Sequence, residues 1–388
     1  MRPVHFDQLI EQILNQAPGC SDIILTVGKP IQVEVNGELQ NITVQSLQGP
    51  LVPWQVEVLA SCVLGRNLRL YQDILLHGSC DLSYQLRGLA RFRVNVFSQQ
   101  GSLALVMRKL AMEPPSIEKL GLPKLFDQMA QEKYGLILIT GATGTGKSTS
   151  LAALIDSINR QDKKHILTLE DPIEFVHTHK AGTVNQRELG IDFDSFASGL
   201  RAALRQAPKV ILVGEIRDRE TIAIALEAAE TGHLVLGTLH TSDASQTIHR
   251  IIGMFELGEE MLIRARLAES LKYVASQRLM PTTSGKRVAA FELLVNTMRI
   301  KELIVNGEDG EKTFYNILAS SSSYGMKTFD DSLIDLFRQE IITEEIAMLN
   351  SSDKSRLSQM IDRVKRQRGE QVTDIEGLQL DWDYGSRQ

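Results

Sequence analysis

The chain has 388 residues, 43% hydrophobic and 23% charged, the make-up of a globular protein too long for one average domain. Its net charge of -6 argues against a nucleic-acid binder that neutralises phosphates over a broad basic face. Cys20, Cys62 and Cys80 match no zinc or redox spacing, and no apolar run approaches the roughly 20 residues that cross a bilayer. These features read as reduced thiols in a cytoplasmic protein whose membrane role, if any, comes through a partner.

The N-terminus, MRPVHFDQLIEQILNQ, is too polar for a secretory signal, and Phe6, Leu9, Ile10 and Ile13 recur at helical spacing. IQVEVNGELQNI alternates around Asn36-Gly37, a hairpin signal. A helix around WQVEVLASCVLG and strands at ARFRVNVF and SLALVMRKL complete a small α+β domain with an antiparallel sheet, residues 1–110. AMEPPSIEKLGLP holds Pro114, Pro115 and Pro123 and reads as a linker, residues 111–122. From there LILIT, HILTLE, KVILVGE and HLVLGTLH alternate with helical stretches, the pattern of a parallel α/β sheet. Beyond Leu262 the apolar spacing turns helical, so residues 123–350 read as an α/β domain closing in a helical subdomain. Residues 351–388 read as a charged tail, one exposed helix and a frayed end.

LILITGATGTGKSTSLAALID contains Gly141, Gly146, Lys147 and Ser148 in the G-x-x-x-x-G-K-[ST] pattern of a phosphate loop. The glycines let backbone N–H groups close around a phosphate, Lys147 supplies a charge to the β and γ phosphates, and Ser148 offers a hydroxyl to Mg2+. A strand precedes the loop, and the following helix carries Leu151, Leu154, Ile155 and Ile158 on one face. Its N-terminal dipole adds to the anion site. The sequence thus specifies a nucleoside triphosphate site with Mg2+.

Carboxylates fall at strand ends. ILTLEDPIEF places Glu170, Asp171 and Glu174 there, and KVILVGEIRD places Glu215. Ligands of an open α/β sheet bind outside the carboxyl ends of its strands, so one acid would hold Mg2+ and another orient the attacking water. Asp171 and Asp218 serve equally well as helix caps. In GHLVLGTLHTSD the two histidines, at about 3.3 Å rise per residue, lie about 20 Å apart. His240 then joins the acids at the strand's carboxyl end, whereas geometry alone gives His233 a structural or interface role. His177 and His179 read as solvated loop residues. Arg91 and Arg93 share one strand face, and with Arg108 they form a guanidinium cluster that neighbouring acids do not neutralise. Arg201 and Arg205 repeat the theme one helical turn apart.

Taken together, GATGTGKSTSLAALID, LTLEDPIEFVH, the run from LRQAPKVILVGEIRD to HLVLGTLHTS, and SQRL resemble the secretion ATPase superfamily of type II secretion and type IV pili, on its pilus-retraction branch. The resemblance runs from about residue 20 to beyond 340. It implies a PAS-like N-terminal domain, a RecA-like P-loop ATPase domain and a homohexamer. It places Thr143, Gly144, Thr145, Gly146, Lys147, Ser148 and Thr149 in the nucleotide loop, Glu170 and Glu174 in an acidic box, Glu215 at the Walker B strand end, and His233 with His240 in a histidine box. It also implies that Arg91, Arg93 and Arg108 reach a neighbour's nucleotide.

The implied function is ATP-driven pilus retraction through an inner-membrane platform protein, by a protein peripheral to that membrane. RIKELI carries Lys301 where the retraction ATPases have arginine. With the long tail after Met326, that leans toward an accessory motor working with a paralogue. The alternatives are an assembly or secretion ATPase, disfavoured because the extra N-terminal domain and four-cysteine insert are missing, and a RecA-like nucleic-acid translocase.

Overall fold

The computed structural model describes residues 3–86, 88–110, 113–310 and 312–370. It resolves into two compact units, Met1–Leu122 with Ser148–Glu215, and Pro123–Lys147 with Ile216–Gln388.

The chain opens with α1 (Pro3–Gln16), β1 (Asp22–Leu25), β2 (Ile31–Val35) and β3 (Glu38–Ile42). Asn36 and Gly37 both adopt positive φ, 54° and 85°, the turn that lets Val35 pair with Glu38 across a tight hairpin. Then come α2 (Pro53–Leu64), α3 (Leu68–His77), β4 (Ser79–Leu86), β5 (Ala90–Gln99), β6 (Ser102–Leu110) and the short α4 (Ile117–Leu120). The six strands form one antiparallel sheet in the order β3-β2-β1-β6-β5-β4. Period-two alternation buries Phe92, Val94 and Val96 of β5 on the face that receives Phe6, Leu9, Ile10 and Ile13 of α1. Each such side chain stabilises the module by about 1.5–3 kcal/mol.

Next are α5 (Leu125–Gln131), β7 (Gly135–Thr140), α6 (Lys147–Gln161), β8 (His165–Glu170), β9 (Thr183–Glu188), α7 (Phe196–Ala203) and β10 (Val210–Val213). In the first unit β10, β8 and β9 run parallel in that order. The second unit continues with α8 (Arg219–Glu230), β11 (Leu234–Leu239), α9 (Ala244–Ile252), α10 (Glu260–Ser270), β12 (Leu271–Pro281) and β13 (Arg287–Val295). Its strands order as β13-β12-β7-β11, with β7 parallel to both β11 and β12. Every residue of β7 and β11 is buried, as expected of parallel strands covered on both faces.

The chain ends in α11 (Met298–Asn306), α12 (Phe314–Ser320), α13 (Phe329–Arg338), α14 (Glu344–Asn350) and α15 (Lys354–Arg368). Two expectations need correction. The helical subdomain does not start at Leu262. α10 stops at Ser270 and the chain enters the long hairpin β12–β13, because pairing with β7 outweighs the helical spacing of Ile263, Leu267, Leu271 and Val274. Nor is the tail helix fully exposed. Leu357, Ile361 and Val364 of α15 are buried with Met280, Phe329 and Phe337. The expected frayed end, residues 371–388, lies outside the described residues.

Candidate active site

In the second unit, the loop after β7 is built for close backbone approach. Gly141, Gly144 and Gly146 hold φ of 145°, 80° and 91°, and a Cβ on Gly141 would sit 2.5 Å from the Gln277 carbonyl oxygen. Lys147 is buried, and its Nζ donates to the carbonyls of Gly141 and Ala142 at 2.8 and 2.9 Å, arching back over the loop. Thr145 Oγ1 donates to the Ala142 carbonyl at 2.9 Å. α6 begins at Lys147, so Ser148 and Thr149 open its first turn, where the helix dipole favours an anion.

His240 follows β11 directly, is exposed, and lies with Nδ1 3.4 Å from Thr143 Oγ1. The cradle and His240 are therefore together. His233 is at the opposite end of β11, its Nδ1 3.0 Å from the Ala228 carbonyl, where it ties the end of α8 to the strand. Asp218 caps α8, accepting from Thr221 N at 2.8 Å and Thr221 Oγ1 at 3.0 Å, so its carboxylate is engaged in capping.

In the first unit, Glu170 ends β8 and accepts from Thr168 Oγ1 at 2.6 Å and Gln186 Nε2 at 2.9 Å. Burial is the main influence on it, raising its pKa to about 7; the two hydrogen bonds and Arg91 oppose that rise, while Glu174 reinforces it. Register sets Val213 of β10 beside Leu169 of β8, and Gly214 N donates to the Leu169 carbonyl at 2.7 Å. Glu215 and Glu170 thus emerge at the carboxyl ends of neighbouring parallel strands. Glu174, half-buried, follows on the loop after β8.

The arginines require correction: each has an acid. Arg91 pairs with Glu188 at 3.0 Å, Arg93 with Asp81 at 3.8 Å, and Arg108 with Asp22 at 2.8 Å. Glu188 was not legible in the sequence. It is buried at the end of β9, where its Oε2 accepts from Arg91, from Ser83 Oγ at 2.8 Å and from Ile173 N at 3.2 Å. One carboxylate so joins β4 and β5 to the loop that carries Glu174. Arg91 Nε is buried with no hydrogen-bond partner, so this pairing leaves the guanidinium incompletely satisfied. Arg205 donates to the Arg201 carbonyl at 3.2 Å. His177 is also corrected. It is buried, and desolvation lowers its pKa to about 4, which leaves the ring neutral at pH 7. Among the described residues no group of three His, Cys, Asp or Glu is placed to hold a metal ion.

Comparison with known proteins places this chain in a family. Residues 10–349 match the family model described as type II/IV secretion system protein. The chain is 37% identical over 380 residues to the type IV pilus ATPase PilU of Pseudomonas aeruginosa, covering 97% of both chains. It is 41% identical over 340 residues to the retraction ATPase PilT of the same organism, covering 87% of this chain and 95% of that one. The crystal structure of the pilus retraction motor PilT with bound ADP superposes with a TM-score of 0.80 at 43% identity, covering 90% of this chain and 98% of that one. The chain belongs to the type II/IV secretion system protein family.

Proposed function

We propose that this protein is an ATP-hydrolysing motor that drives type IV pilus retraction. The observation that carries the reading is the strand–loop–helix cradle from Thr140 to Ser148, in a chain similar to PilU and PilT over most of its length. The residues fit a magnesium-bound triphosphate: a Cβ at Gly141 or Gly146 would press on Gln277, so glycines let the loop curl this tightly, and a hydroxyl stands at Ser148 in the first turn of α6. ATP with Mg2+ would supply the phosphoanhydride bond and the charge that holds it in place. Lys147 would leave the two loop carbonyls and hold the β and γ phosphates, with Ser148 and Glu215 on the metal side. Glu170 or Glu174 would orient water, and His240 would sit by the γ-phosphate.

The working form is a homohexamer at the cytoplasmic face of the inner membrane, acting on a platform protein. For Arg91 to reach a neighbour's nucleotide it must exchange Glu188 for phosphate, a trade helped by its unsatisfied Nε. A specific observation favours the accessory-motor form of this reading. Similarity to PilU extends over 97% of the chain, against 87% for PilT.

Lys147→Ala and Glu215→Ala are expected to abolish ATP hydrolysis with melting temperature retained, and to abolish pilus retraction, alone and beside a paralogue. Parental turnover by Lys147→Ala would show that the site is misassigned.

A further inference from the structure

We infer that Gln277, on β12, is a positioning residue that sets the shape of the phosphate cradle. The inference rests on the nucleotide reading of Gly141–Ser148. Gln277 is buried and meets the loop at three points. Its backbone oxygen is 2.5 Å from where a Cβ on Gly141 would lie, so it packs against the start of the loop. Its side-chain Nε2 donates to the Thr145 carbonyl at 2.7 Å, at the crown. The same nitrogen is 3.0 Å from a Cβ position on Gly146, where the loop enters α6.

The chemistry explains why an amide is there. A loop that turns its N–H groups toward a phosphate must turn carbonyls the other way, because a carbonyl oxygen aimed at the anion would repel it. An outward carbonyl next to a buried strand needs a donor. Gln277 supplies one to Thr145, from a strand paired on both sides, with β7 and with β13. Ser276, the residue before it, pairs with Thr140 in the β12–β7 register, and the two hydroxyls are 2.9 Å apart. The donor thus stands on a base fixed to the last residue of β7, one residue before the loop begins.

This role would have one measurable signature, tested on the full chain with a fluorescent ADP analogue and by steady-state hydrolysis. Gln277→Met keeps the volume without the donor. It is expected to weaken ADP-analogue binding and raise KM for ATP by about tenfold, with kcat within about twofold, since one hydrogen bond shapes the ground-state cradle. Gln277→Glu donates only when its carboxyl is protonated, and burial of this position beside the Thr145 carbonyl pushes the carboxyl well above its ordinary range. Relative to the parent at each pH, its affinity is expected to be near parental at pH 5.5 and to fall about tenfold by pH 8. Parental affinity in Gln277→Met, or equal weakness of Gln277→Glu at every pH, would overturn the role. Lys147→Ala separates the two levels of the argument. If it binds the analogue as the parent does, the nucleotide site is misassigned; if it alone loses binding, only the role of Gln277 fails.

Discussion

Glu170 shows how a strand end tunes an acid. Burial holds its pKa at about 7, so it changes protonation state near neutral pH. If Glu170 is the group that takes the proton of the attacking water, it acts only when ionised, and hydrolysis by the parent is expected to fall as pH drops through about 7. Glu170→Gln fixes the neutral form and is expected to cut turnover about 100-fold at pH 8, the gap to the parent narrowing as pH falls below about 7. If the variant keeps parental turnover, Glu174 is left to orient the water. That Lys147, Glu170 and Glu215 stand close to strand ends was legible in the sequence, because each sits within a few residues of the strand before it. Glu188 and the acids facing the arginines were not. Arg91 finds Glu188 97 residues away, and Arg108 finds Asp22 86 residues away, pairings that only the folded sheet creates.

At the scale of elements, the hairpin β12–β13 was the largest misreading. No glycine or proline separates α10 from β12, and the apolar spacing continues in helical register across the boundary. The phosphate loop and its flanking β7 and α6 were legible for the opposite reason, since glycines mark both bends. The hairpin also carries a buried acid. Glu292 of β13 accepts from Ala244 N, at the start of α9, at 2.8 Å, and burial raises its pKa to about 7. The raised value fixes the sign of its effect. The stability that neutral Glu292 gives is complete below its unfolded value and is lost as pH rises through about 7, at most about 1.4 kcal/mol per pH unit. Glu292→Gln keeps an acceptor for Ala244 and removes that term. Between pH 5.5 and 8 the parent is expected to lose more melting temperature than this variant; parallel curves would refute the assignment.

For the whole molecule, the sequence conveyed the class correctly: an antiparallel α+β module, then an α/β core built on parallel strands. It misjudged the end of the chain. A stretch dense in lysine and arginine reads as solvated, yet three apolar residues in α15 suffice to dock it. Asp330 strengthens the docking. It is buried at the start of α13 and accepts from Tyr315 Oη, Ser351 Oγ, Ser352 N and Asp353 N at 2.7–3.0 Å.

That knot bears on how far this polypeptide tolerates trimming. Stopping it at Asn350, to mimic a shorter relative, would strip away the lid over Met280, Phe329 and Phe337 and leave a buried carboxylate short of three donors. Such a fragment should clump on warming, visible as light scattering well below the parental melt, at a cost of about 1.5–3 kcal/mol for each lost apolar contact residue. Stopping instead after Glu370 spares every one of those atoms.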